Sequence, residues 1–233
     1  MSSYVRNDIN ALEWDSNFFG IRVGSLNADN IPLPELTRLL VETDLDLVYL
    51  FKQNVTFEEK SAILSLGGVF VGKRVCLRKH LDECDSSEGV NEVREISNEI
   101  LELAFLSGEL SRFNKDCYLQ KFFKPMYRAW LEKDFYNGKV FVCGEESCPK
   151  GVASVHVEGG VGRIGLVSVS KTARRKGIGR KLLNSVCDWL FRKGVCLCDV
   201  VTQGDNVAAL SLYLNSGFSV TSSAEVFHVW RRG

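Results

Sequence analysis

Basic side chains and two glycines lie together between Arg174 and Lys181. An apolar, strand-like segment at 164–169 precedes them, and a helical pattern with one apolar face follows. A glycine-containing turn that opens a helix presents backbone N–H groups that have no partner inside the helix. Those donors, the positive end of the helix dipole and the basic side chains all favour an anion, so the segment predicts a phosphate-binding site.

A second group of residues that could do chemistry follows about 30 residues later. The strand-like segment 197–202 leads to Asn206, which opens a short helix, and Tyr213 stands seven residues further on, just before Gly217 and Phe218. Two structural alternatives stay open, because Asn206 could be only an N-cap and Tyr213 only a half-buried aromatic residue of the core.

The two groups together resemble the signatures of the GNAT superfamily of acetyl-coenzyme A-dependent N-acetyltransferases. Arg-x-x-Gly-x-Gly at 174–179 is similar to its pyrophosphate-binding motif, although Ser170 stands where many members have proline. The resemblance implies that Asn206 contacts the pantetheine arm and that Tyr213 protonates the departing thiolate. It implies the following coenzyme-binding residues: Leu166, Val167, Ser168, Val169, Arg174, Arg175, Lys176, Gly177, Ile178, Gly179, Arg180, Asn206 and Tyr213.

Two further segments resemble the bacterial dTDP-fucosamine acetyltransferase group within that superfamily. They are Trp-Asp-Ser-x-Phe-Phe-Gly at 14–20 and Ser-Arg-Phe at 111–113. The resemblance implies that the acceptor is the 4-amino group of a dTDP-linked 4-amino-4,6-dideoxygalactose, and it makes Ser111, Arg112 and Phe113 candidate substrate-binding residues. The alternative for these three residues is a plain connection between helices, and the 14–20 segment favours packing over catalysis.

The base that would deprotonate the amine has two candidates, His156 and Glu158. Both lie in a hairpin pattern at 151–169, on the same face of one strand. His156 has the better intrinsic pKa for this task. A histidine packed within the sheet is the competing interpretation, and ordered water could also remove the proton.

Composition limits the class of protein. The 233 residues are 45% hydrophobic and 25% charged, which is typical of a globular chain. A net charge of zero gives no indication of a nucleic-acid or membrane partner. The absence of an apolar leader and of Cys-x-x-Cys spacing among eight cysteines predicts a cytoplasmic protein with reduced thiols. The small number of histidines, three, argues against a metal site.

The predicted fold class is α/β (α+β), with a mixed central sheet flanked by helices in the GNAT order. A smaller, incomplete GNAT-like α/β unit at 1–85 is expected to precede the acetyltransferase domain at 90–233, with the polar segment 82–92 as the linker. The predicted co-substrate is acetyl-CoA and the predicted partner is a small-molecule amine. A protein or small-amine acetyltransferase, or a non-catalytic acyl-CoA sensor, are the alternatives, and the sequence leaves a homodimer open.

Overall fold

The structure is a computed structural model that describes residues 9–82 and 87–231. The chain divides into two compact units. The first unit comprises 1–74 and 223–233, and the second comprises 75–222. The chain therefore leaves the first unit within the strand Gly68–His80 and returns to it within the last strand, Ser219–Trp230.

The first unit contains a sheet with the strand order β1-β2-β3-β10-β4 and three helices. Strands β2 and β3 run parallel, whereas β1 with β2 and β3 with β10 are antiparallel. Its elements are β1 (Asn10–Ala11), α1 (Glu13–Phe19), β2 (Val23–Asn27), α2 (Leu33–Glu42), β3 (Leu47–Lys52), α3 (Phe57–Ser65), the beginning of β4 (Gly68–His80) and the end of β10 (Ser219–Trp230).

Local signals explain where two helices of the first unit begin and end. Thr56 and Glu59 form a capping box at the start of α3: the Thr56 side chain accepts from the backbone N–H of Glu59, and the Glu59 carboxylate accepts from the backbone N–H of Thr56. The 14–20 segment forms α1, a helix that the sequence did not predict, and Gly20 ends it in the left-handed conformation. Leu36, Ile63 and other apolar side chains of the unit bury a separate core.

The second unit contains a mixed sheet with helices packed on it, as predicted. Strands β5 to β8 are antiparallel in succession, and β8 pairs with β9 in parallel. The strand order is β10-β4-β9-β8-β7-β6-β5. Its elements are β5 (Val90–Glu92), α4 (Asn98–Ser107), α5 (Arg112–Lys115), a 3-10 turn (Gln120–Phe122), α6 (Phe123–Asn137), β6 (Gly138–Cys143), β7 (Gly151–Glu158), β8 (Val161–Val169), a 3-10 turn (Lys171–Ala173), α7 (Ile178–Arg192), β9 (Leu197–Gln203) and α8 (Val207–Leu214).

The apolar face predicted for the helix after the basic turn is buried. Leu182, Val186 and Leu190 of α7 are fully buried against one face of the sheet. Each buried leucine of this kind contributes about 2 kcal/mol through the apolar surface removed from water. The helix is therefore anchored along its length, and its first turn is held beside the start of β7, where Ile178 and Leu182 lie next to Gly151.

The linker prediction at 82–92 is wrong at its end. Val90–Glu92 forms β5, which pairs antiparallel with Phe141–Cys143 of β6. Polar residues are tolerated there because β5 is the edge strand and only part of its surface is covered. Residues 83–86 of the predicted linker lie outside the described residues, and the domain limits 1–85 and 90–233 stay a prediction.

A partly buried cluster of charged side chains connects three neighbouring strands of the second unit, β4, β9 and β8. Asp199 on β9 accepts two hydrogen bonds from Arg78 on β4, at 2.6 and 2.8 Å, and one from Arg163 on β8. The Arg78 guanidinium, followed by Arg163, holds the pKa of the Asp199 carboxyl below its ordinary value. Asp199 thus stabilises the fold as long as it stays ionised.

We expect Asp199→Asn to lower the free energy of unfolding by about 1–2 kcal/mol near neutral pH, since both arginines are partly exposed and remain hydrated. Because the folded-state pKa is depressed, the wild-type contribution is present above the unfolded value of about 4 and is lost as the pH falls through the folded value. Urea denaturation of both proteins between pH 7 and pH 3 measures the difference, which should shrink on acidification. A difference that is independent of pH would contradict the assignment.

Candidate active site

The site lies where β8 and β9 separate. The pairs Gly162–Cys198, Arg163–Asp199 and Ile164–Val200 join the two parallel strands, which then continue beyond these pairs to Val169 and Gln203. On its other edge, β8 keeps its pairing with β7 as far as Val169. The backbone edge of β8 after Ile164 is consequently available on the β9 side.

A cavity of about 800 Å³ occupies this region of the second unit. Its walls are formed by the end of β8, the basic turn, the first turn of α7, α8, and the end of α4 with the segment that follows it. The lining residues are Leu106, Ser107, Glu109, Leu110, Val167, Ser168, Val169, Ala173, Arg174, Arg175, Gly177, Ile178, Gly179, Arg180, Asp205, Asn206, Val207, Ala208, Ala209, Ser211, Leu212, Tyr213, Asn215 and Ser216. The two groups of residues that the sequence singled out therefore line one cavity.

The basic turn has the backbone geometry of an anion site. Gly177 is the N-cap of α7 and adopts the left-handed conformation, with φ of 77°, and no side chain caps the helix. Arg175 also has a positive φ, 64°, which is uncommon for a residue with a side chain. The uncapped N–H groups and the exposed Arg174, Arg175 and Arg180 present positive charge to the cavity.

Gly179 is needed for a different reason. A Cβ at this position would lie 2.9 Å from Cδ2 of Leu212, so a side chain would push α7 away from α8. Both residues line the cavity. The second glycine of the predicted motif thus sets the distance between the two helices that form the walls.

Asn206 and Tyr213 are held by α8. Asn206 is the N-cap of this helix, and its Oδ1 accepts from the backbone N–H of Ala209 at 3.1 Å. The capping interpretation is therefore correct, and the amide N–H₂ of the side chain remains for another acceptor. Tyr213 is 5% exposed and packs edge-on against Phe218 with ring centroids 5.7 Å apart.

Burial, and next the neighbouring Cys198 thiol, raise the pKa of the Tyr213 hydroxyl above its ordinary value. A raised pKa keeps the phenol protonated at neutral pH. Tyr213 is thus a residue of the cavity wall and of the adjoining core whose hydroxyl retains its proton.

Several predicted site residues do not line this cavity. Leu166 is buried and Lys176 is exposed. His156 has its Nδ1 2.8 Å from Oδ1 of Asp134, and Glu158 lies 3.7 Å from Nε of Arg163. These residues lie outside the lining, and their predicted roles stay predictions.

The candidate substrate-binding residues belong to the short helix α5. Ser111 is its N-cap, 1% exposed, and it also forms a hydrogen bond with the Tyr127 side chain. Phe113 packs edge-on against Trp130, and the Arg112 guanidinium lies 4.1 Å from the Phe113 ring centroid. All three are outside the cavity lining, and the packing of Ser111 and Phe113 fits the helix-connection alternative.

The wall formed by the end of α4 and the segment that follows it was not predicted from the sequence. Leu106, Ser107, Glu109 and Leu110 line the cavity, and Glu109 forms an ion pair of 3.1 Å with Lys171 next to the basic turn. Asp205, which also lines the cavity, pairs with Lys115. No local pattern signals these positions, because their partners are about 60 to 90 residues away in the chain.

Comparisons with known proteins give a family match for part of the chain and similar folds among solved structures. Residues 107–218 match the profile described as the Acetyltransferase (GNAT) family. A structure titled a functionally unknown conserved protein from Staphylococcus epidermidis superposes with a TM-score of 0.60 at 11% identity, covering 91% of this chain and 85% of that one. A putative GNAT acetyltransferase from Novosphingobium aromaticivorans gives 0.56 at 12% identity, covering 91% and 84%. A GCN5-related N-acetyltransferase from Sphaerobacter thermophilus gives 0.53 at 18%, covering 80% of this chain and 60% of that one.

The fold, the cavity and the profile match lead to one conclusion: the chain carries a GNAT acetyltransferase domain, matched over 107–218, and is an acyl-CoA-dependent N-acetyltransferase. A curated relative is similar over nearly the whole chain. It is named dTDP-fucosamine acetyltransferase, from Escherichia coli O6:H1, and is 24% identical over 94% of this chain and 97% of its own length.

Among residues 9–82 and 87–231, His, Cys, Asp and Glu form no group of three or more that could hold a metal ion. Within the same ranges, every helix is too short or too polar to cross a lipid bilayer.

Proposed function

We propose that this protein transfers an acetyl group from acetyl-CoA to the amino group of a dTDP-linked 4-amino-4,6-dideoxyhexose, by direct attack of the amine in a ternary complex. The observation that carries the proposal is one cavity whose lining includes the uncapped helix start, the open edge of β8 and Tyr213. The acceptor class is supported by the relative named dTDP-fucosamine acetyltransferase, which aligns along both chains almost from end to end.

The basic turn would hold the pyrophosphate of the coenzyme. Backbone N–H groups at the start of α7 point out of the helix, and Arg174, Arg175 and Arg180 surround them with positive charge. In this arrangement Gly177 has no Cβ to separate the backbone from a phosphate, and open space surrounds it. The residues present therefore fit a phosphorylated ligand.

The edge of β8 would orient the pantetheine arm. Val167 and Val169 offer backbone N–H and C=O groups on the side where β9 has separated, so an extended chain can bond to them as a further strand would. The amide N–H₂ of Asn206 provides another donor on the opposite wall. Acetyl-CoA, when bound, supplies the activated acetyl group.

Tyr213 would supply the proton that the leaving sulfur needs. The C–S bond breaks when the amine nitrogen bonds to the acyl carbon, and the sulfur leaves as a thiolate. A phenol with a raised pKa stays protonated until that charge develops. The protein thus contributes orientation, phosphate binding and one positioned proton.

A glycine pair tests the phosphate site. We expect Gly177→Ala to weaken coenzyme A binding about tenfold, because the added methyl group stands between the helix start and a phosphate. Gly194, at the other end of α7, has a similar φ of 74° and is also surrounded by open space, so Gly194→Ala is the matched control. Calorimetric titration with coenzyme A measures both.

Both substitutions carry a similar backbone strain of about 1–2 kcal/mol, which thermal denaturation should confirm. Equal losses of coenzyme affinity in the two variants would show that strain alone is responsible. That outcome would contradict a phosphate site at Gly177.

The acceptor is tested by following free-thiol release from acetyl-CoA with dTDP-4-amino sugars, simple amines and peptides. Release with only the sugar nucleotides supports the proposal. Thiol release with simple amines or peptides supports acetyltransferase activity but contradicts the proposed sugar acceptor. Coenzyme A binding without release in any reaction contradicts the proposed catalysis and favours a sensor.

A further inference from the structure

Asp134, on α6, is a buried carboxylate that the sequence motifs do not include and the proposed mechanism has not used. It is 3% exposed. Its Oδ1 lies 2.8 Å from Nδ1 of His156, and its Oδ2 accepts the hydroxyl hydrogen of Ser154 at 2.5 Å. A charged group is expensive to bury without partners, so both oxygens are engaged as an ionised carboxylate requires.

The hydrogen-bond pattern defines the tautomer of His156. Ser154 Oγ accepts from the backbone N–H of Leu166 at 3.0 Å, which leaves its own hydrogen for Asp134. An ionised carboxylate only accepts, so Nδ1 of His156 must donate to it. Nε2 is then the nitrogen with the free lone pair, and the side chain is 18% exposed.

The neighbouring strand β8 has a glycine and a register shift where it passes this network. A Cβ on Gly165 would lie 2.1 Å from Oδ2 of Asp134 and 2.8 Å from Oγ of Ser154. The register of β7 and β8 slips by one residue at this point, between the pairs Ala153–Val167 and Val155–Ile164. The carboxylate therefore reaches the backbone only because residue 165 is glycine.

This position is next to the cavity. Gly165 is exposed and follows Ile164, which takes part in the last of the β8–β9 pairs. Leu166 donates to the network, and Val167, the next residue, lines the cavity. The network thus lies where β8 leaves β9, on the face of the sheet that carries α6.

Neighbouring charges favour His156 over Glu158 as the base. Glu158 is more than half exposed and is the nearer carboxylate to Arg163 Nε, at 3.7 Å. Arg163, directly opposite His156 on β8, is itself held by Asp199. Of these groups, Asp134 alone is bonded to the imidazole ring in a buried position.

We propose that Asp134 is a positioning residue that orients His156 to accept a proton from the acceptor amine. The inference rests on the proposed function. The amine loses its proton to Nε2 of His156, its nitrogen bonds to the acyl carbon, the C–S bond breaks, and Tyr213 gives its proton to the sulfur. The imidazolium formed at residue 156 is stabilised by the carboxylate it already contacts.

The test is a double-substitution cycle with acetyl-CoA and dTDP-4-amino-4,6-dideoxygalactose. We expect Asp134→Asn to lower kcat about 10- to 100-fold and His156→Gln about 100-fold, with the KM for acetyl-CoA unchanged within about twofold. The double variant should be no slower than His156→Gln, because the carboxylate acts through the imidazole. Asp188→Asn, a second buried aspartate bonded to Arg192 on α7, is the matched control and should keep full kcat.

A direct readout of the tautomer accompanies the kinetics. Nitrogen-15 NMR of the three histidines, assigned with His156→Gln, should show the proton of residue 156 on Nδ1 in the wild type. A proton on Nε2, an unchanged kcat in Asp134→Asn, or losses that simply multiply in the double variant would each overturn the inference. His156→Gln, at a part-exposed position, keeps the test valid if Asp134→Asn proves unstable by thermal denaturation.

The failures of the two proposals are distinguishable. A wild type that releases no thiol with any acceptor contradicts the proposed function and, with it, the proton-accepting role. Normal wild-type turnover with a fully active Asp134→Asn contradicts this inference alone.

Discussion

Replacing Tyr213 by phenylalanine is expected to lower kcat about 10²- to 10⁴-fold, the range that a positioned general acid contributes. The substitution removes only the hydroxyl, so the ring keeps its edge-on contact with Phe218 and the cavity keeps its shape. Coenzyme A affinity should therefore stay within about twofold. Steady-state rates of thiol release and calorimetric titration measure the two quantities separately.

The control is a tyrosine that is equally buried but distant in the chain from the cavity residues. Tyr49 lies in the first unit, is 1% exposed, and donates to Asp15 at 3.1 Å. Tyr49→Phe should lower stability by about 1 kcal/mol and leave kcat unchanged. An equal kcat in Tyr213→Phe and wild type would remove Tyr213 from the mechanism and leave water to protonate the sulfur.

Gly165→Ala is expected to have the second large effect, on both stability and activity. The new methyl carbon would have to occupy a point 2.1 Å from Oδ2 of Asp134, so the carboxylate and its hydrogen bonds to Ser154 and His156 must move. Overpacking together with buried polar groups left unpaired should cost about 3 kcal/mol in the free energy of unfolding. Denaturant titration measures this loss.

A glycine in the turn of the same hairpin provides the comparison. Gly160 has a positive φ of 77° and open space around it, so Gly160→Ala strains the backbone without displacing a neighbour. We expect it to cost about 1 kcal/mol and to keep kcat. If Gly165→Ala were as stable and active as Gly160→Ala, the close approach of Asp134 to β8 would have no consequence for the protein.

Much of the fold was predictable because its signals are local. The two strands of the hairpin at 151–169 are joined by a turn at Gly159 and Gly160. The apolar stripe that follows the basic turn identified α7 and its buried face. Where a helix was missed, at 13–19, three residues with aromatic rings dominate the segment and helix propensity gives little indication. The strand β5 was missed because an edge strand of three residues carries almost no periodicity.

The candidate site was predictable in part for the same reason. A phosphate-binding helix start requires glycine and basic residues within one short segment, and Asn206 and Tyr213 lie on a single helix, so chain spacing alone marks them. The assignment of His156 and Glu158 to one strand face was also a matter of spacing. Spacing in the chain could not predict that His156 contacts Asp134 or that Glu158 lies near Arg163.

The sequence by itself determined the class of protein, because the glycines and basic residues of the turn and the helix–strand order around them are close together in the chain. Only the tertiary structure decided which groups share an environment. Asp134 reaches His156 and Ser154 from α6, Glu109 in the segment after α4 reaches Lys171 beside the basic turn, and Asp199 joins three strands. These contacts depend on how elements pack across the sheet, and hydrogen bonds between residues 20 to 120 positions apart leave no periodic trace in the chain.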